Sequence, residues 1–327
     1  MLAWLAKRLS SCLLLLLVST FLCYCLSSAA LDPRAYYAQQ TPRPSAATVD
    51  ARLAELGLDQ HTPVTERFGH WAWRALHGDL GRTLDGTFVS AEFGRRVGVT
   101  VRLLVTGTVL GTALGVLAGV WAAVRRGRLP DRALTVFSFT VLSVPPFVLG
   151  LALQAGAIAV NDAAGRTVIR YTGERTPGLN GGLLTRWWDA AVHLALPTLA
   201  VALGAIALYS RYQRAATADV LGSDHLRTAL AKGLTPGRAL LRHGLRTALV
   251  PLTAFFSFGF IGVFTGAVFT ERVYGWHGMG SWFVASVEKG DVNAAVATEV
   301  FGAALVLLAG LVAEVLHVAL DPRVRPA

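Results

Sequence analysis

Residues 103–124 read LLVTGTVLGTALGVLAGVWAAV, an apolar run with no charge in it. At 1.5 Å per residue a helix of this length crosses the ~30 Å hydrocarbon core of a bilayer. Lipid offers no partner to a bare amide or carbonyl, so such a run crosses as a helix. Gly107, Gly111, Gly115 and Gly119 recur at every fourth position and line one helix face with hydrogen atoms. Another helix backbone can approach closely along that face.

Five more runs of this kind lie on either side, at about 9–31, 133–160, 191–210, 249–270 and 294–320. Six spans make an all-α integral membrane fold. Composition agrees: 54% of residues are hydrophobic and 15% charged, with a mean hydropathy of +0.51, whereas soluble domains carry about 25% charged residues. The net charge of +10 sits mainly in loops between the runs. Membrane topology accounts for it there, and no nucleic-acid partner is expected. Cys12, Cys23 and Cys25 all fall in the first run. They read as small apolar residues, not as a disulfide framework or a metal site. Lys7-Arg8, the leucine run and Ser28-Ala29-Ala30 also have the form of a cleaved leader. The length from Leu9 to Leu31 suits a retained helix, which is the reading adopted.

Basic residues orient the spans. With the N-terminus inside, the inner segments hold Lys7, Arg8, Arg125, Arg126, Arg128, Arg132, Arg211, Arg214, Arg227, Lys232, Arg238, Arg242, Arg246, Arg323 and Arg325. Only Asp131, Asp219, Asp224 and Asp321 oppose them there. The two short outer loops hold Arg166, Arg170, Arg175, Arg186, Arg272 and Lys289. The positive-inside rule then puts both termini in the cytoplasm. The segment map is a first span to residue 31 and an extracytoplasmic loop over 32–102. A five-helix core follows over 103–320, with an inner loop at 211–248, and a tail at 321–327. In the outer loop, Val49, Leu53 and Leu56 fall at helical spacing, and Phe68, Trp71, Trp73 and Leu76 form a second amphipathic stretch. Both suit the headgroup layer or a docking surface.

Within the spans, Gly259, Gly262 and Gly266 repeat the close-packing pattern less regularly. Pro145-Pro146 predicts a kink, either a gate or a structural bend. Ionisable groups at membrane depth are costly and point to function. Glu299 and Arg102 are expected to face each other or the solute path. The other readings put Glu299 in an aqueous vestibule and let Arg102 snorkel to the surface. Gln154 and Asn161 either line a path or bond a neighbouring helix. Glu314 falls near the inner end, solvated or paired.

In the inner loop, Ser223 or Asp224 can cap a short helix over His225–Lys232. Gly233 suits its C′ position and Pro236 the stop. A second helix is expected from Gly237 to Ala248, leading on through Pro251. A short helix held between two spans is well placed to receive a push from outside the membrane.

The run DHLRTALAKGLTPGRALLRHGLRTALVP, from Asp224 to Pro251, resembles the cytoplasmic signature loop of binding-protein-dependent ABC permeases, in particular their dipeptide/oligopeptide/nickel branch. Arg227-Thr228-Ala229 and Gly233 stand where the family has Glu-Ala-Ala and a glycine. Arg227 replaces the acid, as is usual in the peptide branch. Leu245-Arg246 stands where a leucine-proline is common, with the proline later at Pro251. Gly78-Asp79-Leu80-Gly81, VTVRLL (Val99–Leu104), the stretch from Asp131 through Pro145-Pro146, ERVYGWHGMG (Glu271–Gly280) and DPRVR (Asp321–Arg325) also match, in order, along nearly the whole chain. Arg102 stands where an acid is common.

The resemblance implies a type I ABC importer permease: a first helix wrapping a five-helix core, beside a second related permease. Two ATPase subunits would lie below and a solute-binding protein outside. Ser223, Asp224, Arg227, Thr228, Ala229, Lys232 and Gly233 would couple to the ATPase. Ala229 and Gly233 would permit close docking, and Arg227 and Lys232 would reach acidic groups. The solute would be a di- or oligopeptide, or else a nickel chelate, glutathione or another small solute. The chain has no G-x-x-x-x-G-K-[ST] loop and no protease, esterase or zinc motif. ATP and Mg are therefore expected on the partners, with no cofactor, metal or catalytic residue here. The reading from another class is a channel or ion-coupled carrier that needs no ATPase, with Glu299 as its ion site.

Overall fold

A computed structural model describes residues 2–59 and 61–321. Arg323, Arg325 and all of the DPRVR match beyond Asp321 lie outside the described residues.

Thirteen α-helices and one π-turn follow in chain order among the described residues. They are α1 (Leu2–Ala30), α2 (Pro33–Ala38), α3 (Ala46–Glu55), α4 (Val64–Leu76), α5 (Val89–Val124), α6 (Leu129–Ser143) and α7 (Pro146–Ala164). Then come α8 (Leu183–Leu221), α9 (Asp224–Ala231), α10 (Pro236–Ala239), the π-turn Leu240–Gly244, α11 (Leu245–Val273), α12 (Met279–Lys289) and α13 (Val292–Leu320). Among the described residues five helices are long and apolar enough to cross a membrane: Ala6–Ala30, α5, α7, α8 and α13. A bent pair, Pro236–Phe256 with Gly259–Val273 at 55°, raises the number to six where the two count as one span.

Three features differ from the sequence reading, two of them because backbone hydrogen bonding continues past the apolar stretch until a breaker stops it. The second span begins at Val89, not 103, so the last part of the 32–102 loop is helical. The fourth runs from a Gly182 N-cap to a Gly222 C-cap. The inner link therefore starts at 222, not 211. The third span is not kinked but broken. Val144 and Pro145 are extended, with ψ of 128° and 141°, and Pro146 starts a new helix. A residue preceding proline avoids the α region, and here two do so in succession.

Chain contacts group the molecule into two compact units, Met1–Thr100 with His277–Leu307, and Val101–Trp276 with Leu308–Ala327. In the first unit the long loop is a small folded body. Asp32 caps α2 by accepting from the Arg34 amide, and Ser45 caps α3 by accepting from that of Thr48. Val49, Leu53, Leu56 and Trp71 join Tyr24 of α1, Tyr37, Leu84, Val292 and Val296 in one buried cluster. Trp73 and Leu76 face away, 67% and 82% exposed.

The Gly78–Gly81 segment is a clasp in this unit. Asp79 Oδ1 accepts from the Gly81 amide at 2.9 Å. Gly81 has φ +90°, and a Cβ there would lie 3.2 Å from Asn293 Nδ2. That amide nitrogen donates to the Leu56 and Arg82 carbonyls. Asp291 caps α13 through the Ala294 amide and holds the Leu84 amide at 2.9 Å. Burial pushes its carboxyl above the ordinary carboxylate range.

The second unit is organised on α8, against which α6, α7 and α11 pack. The glycine face of α5 meets α8 as well. A Cβ on Gly107 would stand 2.5 Å from Val201 Cγ1, on Gly111 2.6 Å from Ala205 Cβ, on Gly115 3.0 Å from Tyr209 Cβ, and on Gly119 2.6 Å from the Ser210 carbonyl. The α11 glycines differ. Gly262 has nothing within 4 Å of a built Cβ, and Gly266 only Pro146 at 3.7 Å. The expectation of close packing holds there only for Gly259, whose Cβ would meet the Tyr209 hydroxyl at 2.7 Å. Gly262 faces open space, and Gly266 makes only an ordinary contact with Pro146.

Candidate functional site

α9 is held between the ends of α8 and α11 by its own local chemistry. Ser223 occupies the N-cap with extended backbone, but its hydroxyl does not cap the helix. It donates instead to the Val220 carbonyl at 2.5 Å, and Asp224 supplies the first-turn acid that favours a helix start. The C-terminus closes as a Schellman motif. The Gly233 amide donates to the Leu230 carbonyl at 2.9 Å and that of Leu234 to Ala229 at 3.3 Å, with Gly233 at φ +89°. Pro236 then starts α10 as its first residue.

The inner face of α9 is apolar. Leu226 and Ala229 are buried with Ala239 of α10, with Leu221 and Leu234 packed against them. Ala229 is therefore not free for docking on a partner. At 7% exposed it is a contact within this chain, and its small side chain lets α9 lie down on α10. The outer face carries Asp224, Arg227, Thr228, Lys232 and Gly233, all exposed. Arg227 sits 3.7 Å from Asp224, and the Thr228 hydroxyl returns to the Asp224 carbonyl. Leu230 and Leu241 add apolar surface at 38% and 68% exposure.

The π-turn behind α9 escaped the sequence reading, which has one plain helix from Gly237. Gly244 shows why the turn matters. A Cβ there would lie 2.9 Å from Val220 Cγ1 and 3.0 Å from Leu240 Cδ1, so the glycine lets this link close on α8.

One end of this unit is tied by an ion pair that the sequence reading left unpaired. Asp131, in the first turn of α6 and 3% exposed, accepts from Arg214 Nε and from Arg214 Nη2, the latter at 2.8 Å. It also holds the Gly127 amide at 2.9 Å. The Arg214 guanidinium, ahead of the Gly127 amide, holds the carboxyl down at about 2.

Arg102 and Glu299 each have a partner within their own unit. Arg102 Nη2 donates to Glu174 Oε2 at 3.3 Å within the second unit. Glu299 accepts from Ser27 Oγ at 3.2 Å within the first, with Cys23 also bonded to it. A carboxylate and two short polar side chains of α1 satisfy each other locally, which spacing along one helix cannot reveal. Gln154 donates to the Tyr171 and Val273 carbonyls, and Asn161 bonds Val168 and Ile169, so both tie down the loop after α7. Pro145 and Pro146 sit at the break. Among the described residues, no group of three or more His, Cys, Asp or Glu side chains is placed to hold a metal.

The comparisons with known proteins agree with this geometry. Residues 115–326 match the family model described as the inner membrane component of binding-protein-dependent transport systems. The chain is 50% identical to the oligopeptide transport system permease protein OppB of Mycobacterium tuberculosis (strain H37Rv) over 322 residues, 98% of each chain. It is 31% identical to the dipeptide permease DppB of Escherichia coli K12 over 287 residues, 84% of each. It is also 31% identical to the glutathione permease GsiC of Escherichia coli O6:H1, over 87% of this chain and 86% of that one. A multi-pass helical chain of the type I ABC permease fold, matched along nearly its full length, belongs to the family of binding-protein-dependent transport system inner membrane components.

Proposed function

We propose that this chain is the transmembrane permease subunit of an ATP-driven importer of di- and oligopeptides in a bacterial inner membrane. The observation that carries the reading is α9: a short helix closed by a glycine turn, apolar inward and charged outward, in a chain with no phosphate-binding loop of its own. The full-length similarity to oligopeptide and dipeptide permeases supports the substrate class.

In this reading both termini and α9 face the cytoplasm, as the basic inner segments favour. The partners are a second related permease, two ABC ATPases that carry ATP and Mg, and an extracytoplasmic solute-binding protein. The permease itself is non-catalytic and holds no cofactor. Closure of the ATPases on ATP moves α9 through contacts that differ between two states, and the spans rock between inward-open and outward-open forms. Only such differential contact shifts an equilibrium. Outward-facing Arg227 and Lys232 are suited to acidic groups on the ATPase. Glutathione import is the second reading, favoured by the likeness to a glutathione permease.

The test is mild-detergent purification of the tagged chain with mass spectrometry of what accompanies it. ATPase subunits and a second permease, with ATP-dependent uptake of tripeptides in liposomes, are expected. A chain purified alone that carries solute without ATP would replace this reading with a channel or carrier.

A further inference from the structure

Within the second unit, a cavity of about 210 Å³ lies beside the broken third span. Its walls are Val144 and Pro146 at the break, Gly204 and Ala205 of α8, and Gly262 and Gly266 of α11. No lining residue is charged.

Three independent features mark it. The first is space. A Cβ built on Gly204 or Gly262 meets nothing within 4 Å, unlike the α5 glycines, whose Cβ atoms would strike α8. These glycines keep a volume open instead of drawing helices together. The second is the break. Pro145 and Pro146 have no N–H, so the carbonyls of Val141 and Leu142 lose their usual helical donors. The Val144 amide restores one bond, to Val141, at 3.3 Å. Non-helical backbone at membrane depth is tolerated where it is buried in protein or lines a water-filled cavity, and Leu142 and Val144 line this one. The third is Tyr209. Its phenol is fully buried, and the side chain set beside its hydroxyl is that of Thr112. The phenol oxygen ends 2.7 Å from where a Cβ on Gly259 would stand. Gly259 is a wall residue, so the hydroxyl abuts the cavity wall at that glycine.

We propose that this cavity is a subsite for one residue of a transported peptide. The carbonyls at the break and the Tyr209 hydroxyl receive its main-chain N–H groups, and the glycine walls receive its side chain. Pockets that enclose a whole small molecule measure ~300–1,000 Å³, so this volume suits one residue of a longer chain. Acceptors on an uncharged wall match amide donors, and select side chains by bulk and not by charge sign. The subsite rests on the peptide-importer reading and adds to it the residues that set size preference.

The experiment uses the complete transporter in liposomes, comparing ATP-driven uptake of Ala-Ala-Ala and Ala-Phe-Ala. In Gly204→Leu and Gly262→Leu, uptake of Ala-Phe-Ala should fall about tenfold more than that of Ala-Ala-Ala, the discrimination a filled apolar pocket provides. Tyr209→Phe keeps the shape of the core, and should raise KM for both peptides by a similar factor with the maximal rate retained. An unchanged peptide ratio in an assembled leucine variant overturns the subsite. If neither leucine variant assembles, a wild-type KM in Tyr209→Phe overturns it. Wild-type liposomes that import both peptides while the variants keep the wild-type ratio sink the subsite alone. Wild-type liposomes with no ATP-dependent uptake of either peptide sink the importer reading, and the subsite with it.

Discussion

The α-carbon of Gly107 lies so close to Val201 that a Cβ on the glycine would stand 2.5 Å from Val201 Cγ1. The same contact recurs one turn on, at Gly111 and Ala205. Helices this close gain dispersion contacts along their whole length, which is the main source of helix association in lipid.

Gly111→Ala should therefore destabilise the chain by about 1–3 kcal/mol, the usual cost of overpacking, in spite of alanine's better helix propensity. Gly204→Ala, with open space at its Cβ, should be neutral or gain up to ~1 kcal/mol. Thermal unfolding of the detergent-solubilised chain measures both. Equal shifts would remove the distinction between the two glycine sets.

The Asp131–Arg214 pair gives the stability a pH dependence. Arg214 holds the Asp131 carboxyl at about 2, below the ~3.9 of an unfolded aspartate. A depressed pKa contributes stability that is fully present above ~3.9 and is lost as pH falls through about 2. The contribution is about 2 kcal/mol. Asp131→Asn should lower the Tm at pH 7 and flatten its decline between pH 4 and 2.5 (roughly the window between the two pKa values). A parallel decline in both proteins would show that other groups carry the acid sensitivity.

Asn293 closes the folded loop onto α13 through the Leu56 and Arg82 carbonyls. Asn293→Ala leaves two buried acceptors short of donors, at a cost of about 2 kcal/mol. Hydrogen exchange should speed up in α3 and in the segment after Gly81, with α8 and α11 unaffected, since stability is local to the contacts that make it. Uniform acceleration through the whole chain would contradict that local assignment.

On α9, position decides the kind of defect. Arg227→Glu and Lys232→Glu lie on the exposed face and should leave the Tm within ~0.5 kcal/mol of wild type, while reducing recovery of ATPase subunits with the chain. Ala229→Leu enters the packed contact with α10 and should lower the Tm first. Loss of ATPase recovery from Ala229→Leu at an unchanged Tm would return that residue to the docking face.

Much of this was legible from the chain alone. Runs of apolar length fix a helix in lipid, because no other backbone form satisfies its own hydrogen bonds there. The turn chemistry of Gly233 and Pro236 placed the end of α9 to within one residue, since a positive φ and a missing N–H are local facts. The boundaries of α5 and α8 were less legible. Polar residues outside the membrane sustain a helix as well as apolar ones do, and only Gly182 and Gly222 stop α8.

The partners of Arg102, Glu299 and Ala229 were not legible at all. Each is set by a residue distant in sequence: Glu174, Ser27 and Ala239. Asp131 and Arg214 both stood among the inner-loop charges, and nothing in their spacing marks them as a pair.

The amino-acid order by itself determined the number of spans, the break-prone proline pair and the short helix between spans, because length, capping and missing donors act within a few residues. Tertiary structure alone decided which glycines press helices together and which hold a cavity open. Gly111 and Gly262 are the same residue on the same kind of apolar helix, and they differ only in what stands opposite: the α8 backbone at Ala202 in one case, open space in the other.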